Sequence, residues 1–220
     1  MSKTAAGGEI DLLDPQGGGP IGINKSITID GGNGQGANVT ANGVNGVVIN
    51  TGNTGIVILR NLRINGAGVG LNGIVVKGAG RLLIEDCEIY GFITHGIAIE
   101  ISSGTTQVVI NRTTIFGNGQ GGIQVKPSGG ATTVSLRDVL TSGGAFGIGL
   151  DTTGGGTASV MVERTNVSEI PETGFRSRGR VPRSRSTTRR FSTTAAAAST
   201  SRRQRMFVRS RTMSSPRTEP

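Results

Sequence analysis

The sequence predicts an all-β fold, a right-handed parallel β-helix with coils of about 25 residues, followed by a basic tail outside the fold. Two recurrent segments that share one period carry this prediction, and the composition supports it. The 220 residues include 38 Gly and no Trp, and the Gly residues show no three-residue period, which excludes collagen. Val and Ile are frequent up to Phe175, and these residue types favour strands.

The first recurrent segment is a Gly followed by an apolar, a variable and an apolar residue. Successive Gly residues are 27, 23, 26, 25 and 27 positions apart, and the last copy breaks off after Phe175. The segment begins at Gly46, Gly73, Gly96, Gly122, Gly147 and Gly174.

The second segment lies between copies of the first and consists of two short alternating apolar runs separated by two polar residues. Its central apolar positions are 25, 26, 26 and 26 residues apart. These positions are Leu59, Ile84, Ile110, Leu136 and Val162. Two independent markers with one period make chance similarity a poor explanation.

Each run alternates with period two, so one face of each strand is apolar. The runs are too short to be stable alone, but stacking them as parallel strands joins their inner faces into a continuous core. Parallel crossovers are almost always right-handed. The fixed spacing of the repeats argues against a β-sandwich. The Leu framework that defines a leucine-rich repeat is absent from this sequence. The predicted inward residues are Val47, Ile49, Ile74, Val76, Ile97, Ile99, Ile123, Val125, Ile148 and Leu150.

The polar residues of the second segment predict columns of charge. Alignment of the repeats stacks Asp86, Arg112, Asp138 and Arg164, so signs alternate up the column. We expect Arg112 to pair with Asp86 or Asp138, and Arg164 to pair with Asp138. The adjacent column contains Arg60, Glu85, Asn111, Arg137 and Glu163. The same alignment places Cys87 in the core and stacks Tyr90 on Phe116.

Charge divides the chain into two expected parts, a β-helix domain over residues 1–175 and an Arg/Ser-rich tail over residues 176–220. The tail holds 13 of the 23 basic residues and one acidic residue, whereas the body is mildly acidic. With almost no aliphatic content, the tail is expected to be disordered. Three interpretations remain: a nucleic-acid-binding arm, an inert linker, and out-of-frame translation, which the absence of Lys favours.

Other sequence features restrict location and cofactors. Cys87 is the single cysteine, so neither an intrachain disulfide nor a cysteine-based metal cluster can form. No apolar run approaches the ~18 residues of a membrane span, and the N-terminus lacks a signal segment. We therefore expect a cytoplasmic chain as written, with no membrane partner, no cofactor and no metal.

Residues Ala5–Pro15 and Lys25–Gly31 resemble the first coil of pectin-lyase-like right-handed β-helix proteins, and the resemblance covers residues 2–175. In that family a short amphipathic helix caps the N-terminal end, and here only Ser2–Ala6 corresponds to it. The resemblance implies a reading frame that begins inside a longer member, whose signal peptide would also be missing. It specifies the fold strongly and the activity hardly at all.

Enzymes of this family carry carboxylates or a Ca²⁺ cluster on the outer face. Polygalacturonase-like members share an Asn-Thr-Asp triplet and a Gly-His-Gly motif, which resemble Asn50-Thr51-Gly52 and Thr94-His95-Gly96 only in part. The family's Asp pair and its Arg-Ile-Lys motif are absent from the chain. Weak catalytic candidates are therefore His95, interpreted as a surface corner residue, and the acidic pair Glu85 and Asp86. Ca²⁺ needs six to eight oxygen ligands, more than the acidic group around Glu85 offers.

The sequence favours a non-catalytic β-helix domain, a scaffold whose long faces contact a polysaccharide or another protein. The alternative is a divergent polysaccharide lyase or glycoside hydrolase. Nucleic acid is an expected partner only through the basic tail, which has two Phe residues and no stacking platform. Glycan binding rests on analogy with the fold, because the body has few aromatic residues.

Overall fold

The computed structural model describes residues 4–12, 18–32, 37–168 and 173–178, which form a parallel β-solenoid of about six turns. Twenty strands form three sheets, and every pairing between them is parallel. The predicted fold class is confirmed. None of the described residues forms a helix with the length and apolarity needed to span a membrane.

The three sheets run along the solenoid axis, and each coil contributes strands to them in turn. Sheet A contains β1 (Glu9–Asp11), β3 (Ile27–Asp30), β6 (Ile56–Arg60), β9 (Arg81–Glu85), β12 (Thr105–Asn111), β15 (Ala131–Arg137) and β18 (Thr157–Glu163). Sheet B contains β4 (Ala37–Thr40), β7 (Leu62–Gly70), β10 (Glu88–Phe92), β13 (Thr114–Phe116), β16 (Leu140–Ser142) and β19 (Asn166–Ser168). Sheet C contains β2 (Ile21–Ile23), β5 (Val47–Asn50), β8 (Ile74–Gly78), β11 (His95–Ile99), β14 (Gly121–Val125), β17 (Phe146–Asp151) and β20 (Thr173–Arg178).

The core is one continuous column of aliphatic side chains inside the solenoid. All ten residues predicted to point inward from the first segment are buried, none more than 2 % exposed. In sheet C, Ile97 is aligned with Ile74 below and Ile123 above, as the repeat spacing requires. Cys87 is also buried in the core, as predicted.

The regular recurrence of glycine at the start of each first segment has a steric cause. These glycines do not have positive φ, so the need for a left-handed turn does not explain them. A Cβ on Gly96 would instead lie 2.3 Å from Cγ2 of Ile115, a core residue of sheet B. Gly at this position therefore lets the start of sheet C approach the inner face of sheet B.

Sheet C continues three residues past Phe175, the end predicted from the sequence. Ser177 pairs with Leu150, and Arg178 pairs with Asp151. Parallel pairing depends on backbone groups, so β20 continues even where Ser177 replaces the expected aliphatic residue. Residues 179–220, and with them most of the tail predicted to be disordered, lie outside the described residues.

Candidate functional site

The predicted charge column forms the corner between sheets A and B. Nε and Nη2 of Arg112 each lie 2.8 Å from a carboxylate oxygen of Asp86, and Arg164 binds Asp138 in the same way at 2.7 and 2.8 Å. Both predicted pairings are confirmed. The hydrogen bond from Arg164 lowers the pKa of Asp138.

Every residue of this corner column has a left-handed backbone conformation. Their φ angles lie between 43° and 55°, in the region that Asn and Asp tolerate better than other residues with a side chain. The residues are Asn61, Asp86, Arg112, Asp138 and Arg164. One left-handed residue per coil thus turns the chain from sheet A into sheet B.

The acidic candidates Glu85 and Asp86 are part of this corner and are held by ion pairs. Arg112 Nη2 lies 2.9 Å from Oε1 of Glu85, in addition to its contacts with Asp86. Glu85 also accepts a 3.3 Å hydrogen bond from Asn111. The arrangement is that of a structural ion-pair network on the surface.

His95, the third candidate, lies elsewhere, at the start of β11 in sheet C. It is half-buried, and burial lowers its pKa. Its Nδ1 lies 3.2 Å from Oδ1 of Asn72, which also accepts from the His95 backbone N–H at 3.3 Å. Because this oxygen is an acceptor, the neutral ring carries its proton on Nδ1 and leaves Nε2 as a hydrogen-bond acceptor.

His95 lines a shallow groove of about 280 Å³ on the outer face of sheet C, which we call the sheet C groove. Four coils contribute to it. The lining residues are His95, Glu100, Gln120, Gln124, Lys126, Phe146, Gly149, Leu150, Asp151, Arg176 and Arg178. Of these residues, only His95 was predicted from the sequence as a site candidate, and Leu150 was predicted as a core residue.

Phe146 forms the floor of the sheet C groove. Its side chain is 4 % exposed, and its ring lies 5.7 Å from that of His95 and 5.9 Å from the guanidinium carbon of Arg176. A Cβ on either Gly121 or Gly149 would come within 2.6 Å of the ring. These two glycines make room for Phe146, which is covered and therefore does not offer an open stacking platform.

A second alternating charge column runs along the groove. Lys77 lies 3.7 Å from Glu100, and Lys126 lies 3.9 Å from Asp151. Arg178 of β20 is paired in register with Asp151 of β17 and therefore continues the charge column. Asp151 has a lowered pKa because it accepts hydrogen bonds from the hydroxyl and backbone N–H of Thr153.

Three carboxylates at the N-terminal end could together bind a cation. Those of Glu9, Asp11 and Asp30 lie within 4.8 Å of one another. Arg60 lies 2.6 Å from Glu9 and 2.7 Å from Asp30 and neutralises part of the negative charge of the cluster.

Two sequence predictions concern side chains away from the groove. Tyr90 and Phe116 stack on the outer face of sheet B, with ring centroids 4.8 Å apart and planes 9° from parallel. Burial raises the pKa of Cys87 to about 12, and its thiol contacts the carbonyl oxygen of Glu85 at 3.2 Å. Cys87 is therefore a protonated core residue.

The fold and the groove define a protein class, a parallel β-solenoid with a polar groove along one outer face. Residues 21–168, more than half of the chain, match the model of the family described as right handed beta helix region. The chain belongs to this right-handed β-helix family. No curated protein and no solved structure matches the sequence.

Proposed function

We propose that this β-helix is a non-catalytic binding scaffold whose sheet C groove holds an extended, negatively charged polymer such as an acidic polysaccharide. Arg176 and Arg178 carry the proposal. Both line the groove, and neither forms a salt bridge among the described residues. Their guanidinium groups keep donors for the carboxylates of a ligand.

The groove also offers neutral hydrogen-bonding side chains, those of Gln120 and Gln124. Gln124 lies between Ala98 and Gly149 in the register of sheet C, and Arg176 follows Gly149 one strand further on. Strands in a sheet lie ~4.8 Å apart, so the charged residues Lys126, Asp151 and Arg178 repeat along the solenoid axis at short, even intervals. This repetition fits a polymer lying along the axis better than a compact ligand.

The carboxylates of the groove favour binding over hydrolysis. A glycosidase acid must hold its proton near neutral pH, and its pKa must therefore be raised. The pKa of Asp151 is lowered, and Glu100 lies in an ion pair with Lys77. Lys126 lies between these two carboxylates in the register of the sheet, at the place where a reacting bond would be held.

The test is a binding titration of polygalacturonate, alginate and a neutral glucan by calorimetry. We expect the two acidic polymers to bind and the neutral polymer not to bind. The double variant Arg176→Ala/Arg178→Ala should weaken binding about tenfold or more, since each lost ion contact to a ligand carboxylate costs affinity. Arg63→Ala removes a cation from the outer face of sheet B and should leave binding unchanged.

A second function, that of a divergent polysaccharide lyase or hydrolase, is favoured by one observation. His95 lines the groove, and its lowered pKa keeps the ring neutral, as a general base requires. The test follows unsaturated products and reducing ends from pectate, polygalacturonate and alginate, with and without Ca²⁺. Turnover that disappears in His95→Gln would replace the scaffold proposal. Turnover lost in Glu85→Gln/Asp86→Asn would place the active site at the corner instead.

A further inference from the structure

The outer face of sheet A carries an apolar stripe along the solenoid. The outward residues at the middle of five successive strands are aligned in one column, and four of them are aliphatic or Met. Met161 is 60 % exposed, and Ile56, beside the stripe, is 49 % exposed. The column contains Ile58, Leu83, Val109, Ser135 and Met161.

A charged column runs beside this stripe, and its order of signs has an unusual symmetry. The column reads Arg60, Glu85, Asn111, Arg137, Glu163 from the N-terminal coil upward. Reversing the order about Asn111 places each cation opposite an anion. Arg60 then faces Glu163, Glu85 faces Arg137, and Asn111 faces itself. These contacts would add to the ion pairs of 2.6–3.1 Å that the four charged residues already form within one chain.

This antisymmetry is what a twofold interface between two copies requires. A twofold axis parallel to β12 reverses the solenoid direction and brings the outer faces of two A sheets together, with each column opposite its own reversed copy. We propose that a second copy of this chain binds the outer face of sheet A in this antiparallel arrangement. Such interfaces are isologous, with one patch used twice.

The contacts of this arrangement follow from the register. Val109 meets Val109 of the second copy on the axis, and Ile58 meets Met161. Packed sheets lie ~10 Å apart, a gap that Arg and Glu side chains span from opposite sides. A twofold axis along the solenoid would instead place Arg60 against Ile56 and Asn111 against Gln107, so that within these three strands only Glu85 would meet an opposite charge, Arg81.

The charges at the margin of this face do not oppose the arrangement. Asp86 and Asp138 would approach each other across the axis, but each is already paired with Arg112 or Arg164 in its own chain. The outer face of five strands of five to seven residues has an area of roughly 400–500 Å² per copy. If all of it is buried, the interface is at the low end of the size of specific complexes. The dimer is therefore expected to be weak and to depend on concentration and salt.

The test uses sedimentation equilibrium of the full chain and two charge reversals. In Glu85→Arg the new cation faces Arg137 of the second copy, and in Arg137→Glu the new anion faces Glu85. We expect each variant alone to associate about tenfold or more weakly than the wild-type chain. In a mixture of the two variants, both contacts of the mixed dimer are complementary again, and association should return.

Recovery on mixing separates contact across the interface from damage to the fold. Glu85 and Arg137 lie two strands apart in one chain, about 9.6 Å, so they do not form a direct pair there. Arg63→Glu on sheet B is the matched reversal and should leave association unchanged. Similarly, Val109→Asp should abolish the dimer, whereas Leu140→Asp on sheet B should not. A monomeric wild-type chain, or no association of the mixed variants, would overturn the proposal.

Discussion

Arg112 holds Asp86 through two hydrogen bonds of 2.8 Å while its own backbone is left-handed, with φ of 43°. The ion pair joins consecutive coils, and the backbone conformation turns the chain between two sheets. One residue therefore combines a favourable contact with an unfavourable conformation. The two contributions are separable by substitution.

Arg112→Ala and Arg112→Asn both remove the ion pair, but only Asn suits the left-handed backbone. We expect the Asn variant to melt about 2–4 °C above the Ala variant, because the left-handed conformation costs less for Asn. Thermal unfolding followed by circular dichroism measures the difference. Equal melting temperatures would show that the conformation carries no strain.

Gly96→Ala should destabilise the solenoid, because the new Cβ would lie 2.3 Å from Ile115 Cγ2 and 2.9 Å from the carbonyl oxygen of Gly122. Overpacking of this kind costs about 1–3 kcal/mol in the free energy of unfolding, measured by urea denaturation. Gly22→Ala is the matched control in the same sheet, since no atom lies within 4 Å of the added Cβ. Equal effects of the two substitutions would contradict the steric explanation.

Thr141→Val should raise the free energy of unfolding by about 1 kcal/mol. The hydroxyl of Thr141 is buried and has no hydrogen-bond partner among the described residues, so Val removes an unsatisfied polar atom at constant shape. Thr113→Val is the control, because that hydroxyl donates a 2.8 Å hydrogen bond to the carbonyl oxygen of Asn111. The control should be destabilised, and a change of the same sign in both variants would refute the prediction.

Cys87 should resist alkylation by iodoacetamide in the native protein. Burial raises the pKa of its thiol to about 12, so almost none is thiolate at neutral pH, and the sulfur is shielded from reagent. Mass spectrometry of samples treated in buffer and in denaturant should show modification only after unfolding. Rapid native modification would place Cys87 outside the core.

The core and the corner pairs could be predicted from the sequence because both depend on repetition. A residue type that recurs every 26 positions identifies a column, and alternation within each strand assigns it to the inside or the outside. Ile97 and the Arg112–Asp86 pair were found in this way. The left-handed corner was missed, although the polar residues between the two runs of the second segment mark it.

The sheet C groove was missed for a different reason. Phe146, Gln124 and Arg176 have unrelated side chains, come from different coils and meet only once the register is known. The charge column beside them did leave a signal, since Lys77, Glu100, Lys126 and Asp151 each follow the first segment directly. Arg178 was assigned to the tail, because its neighbours Ser177 and Arg176 lack the aliphatic pattern.

Hydrogen–deuterium exchange with and without polygalacturonate tests the central claim, that the sheet C groove is the binding surface, most directly. We expect slower exchange on ligand addition in peptides containing β11, β14, β17 and β20, whose side chains line the groove. Peptides containing β10 and β13 of sheet B should show no change. Protection of the corner at Glu85 and Asp86, with the groove peptides unchanged, would contradict the claim.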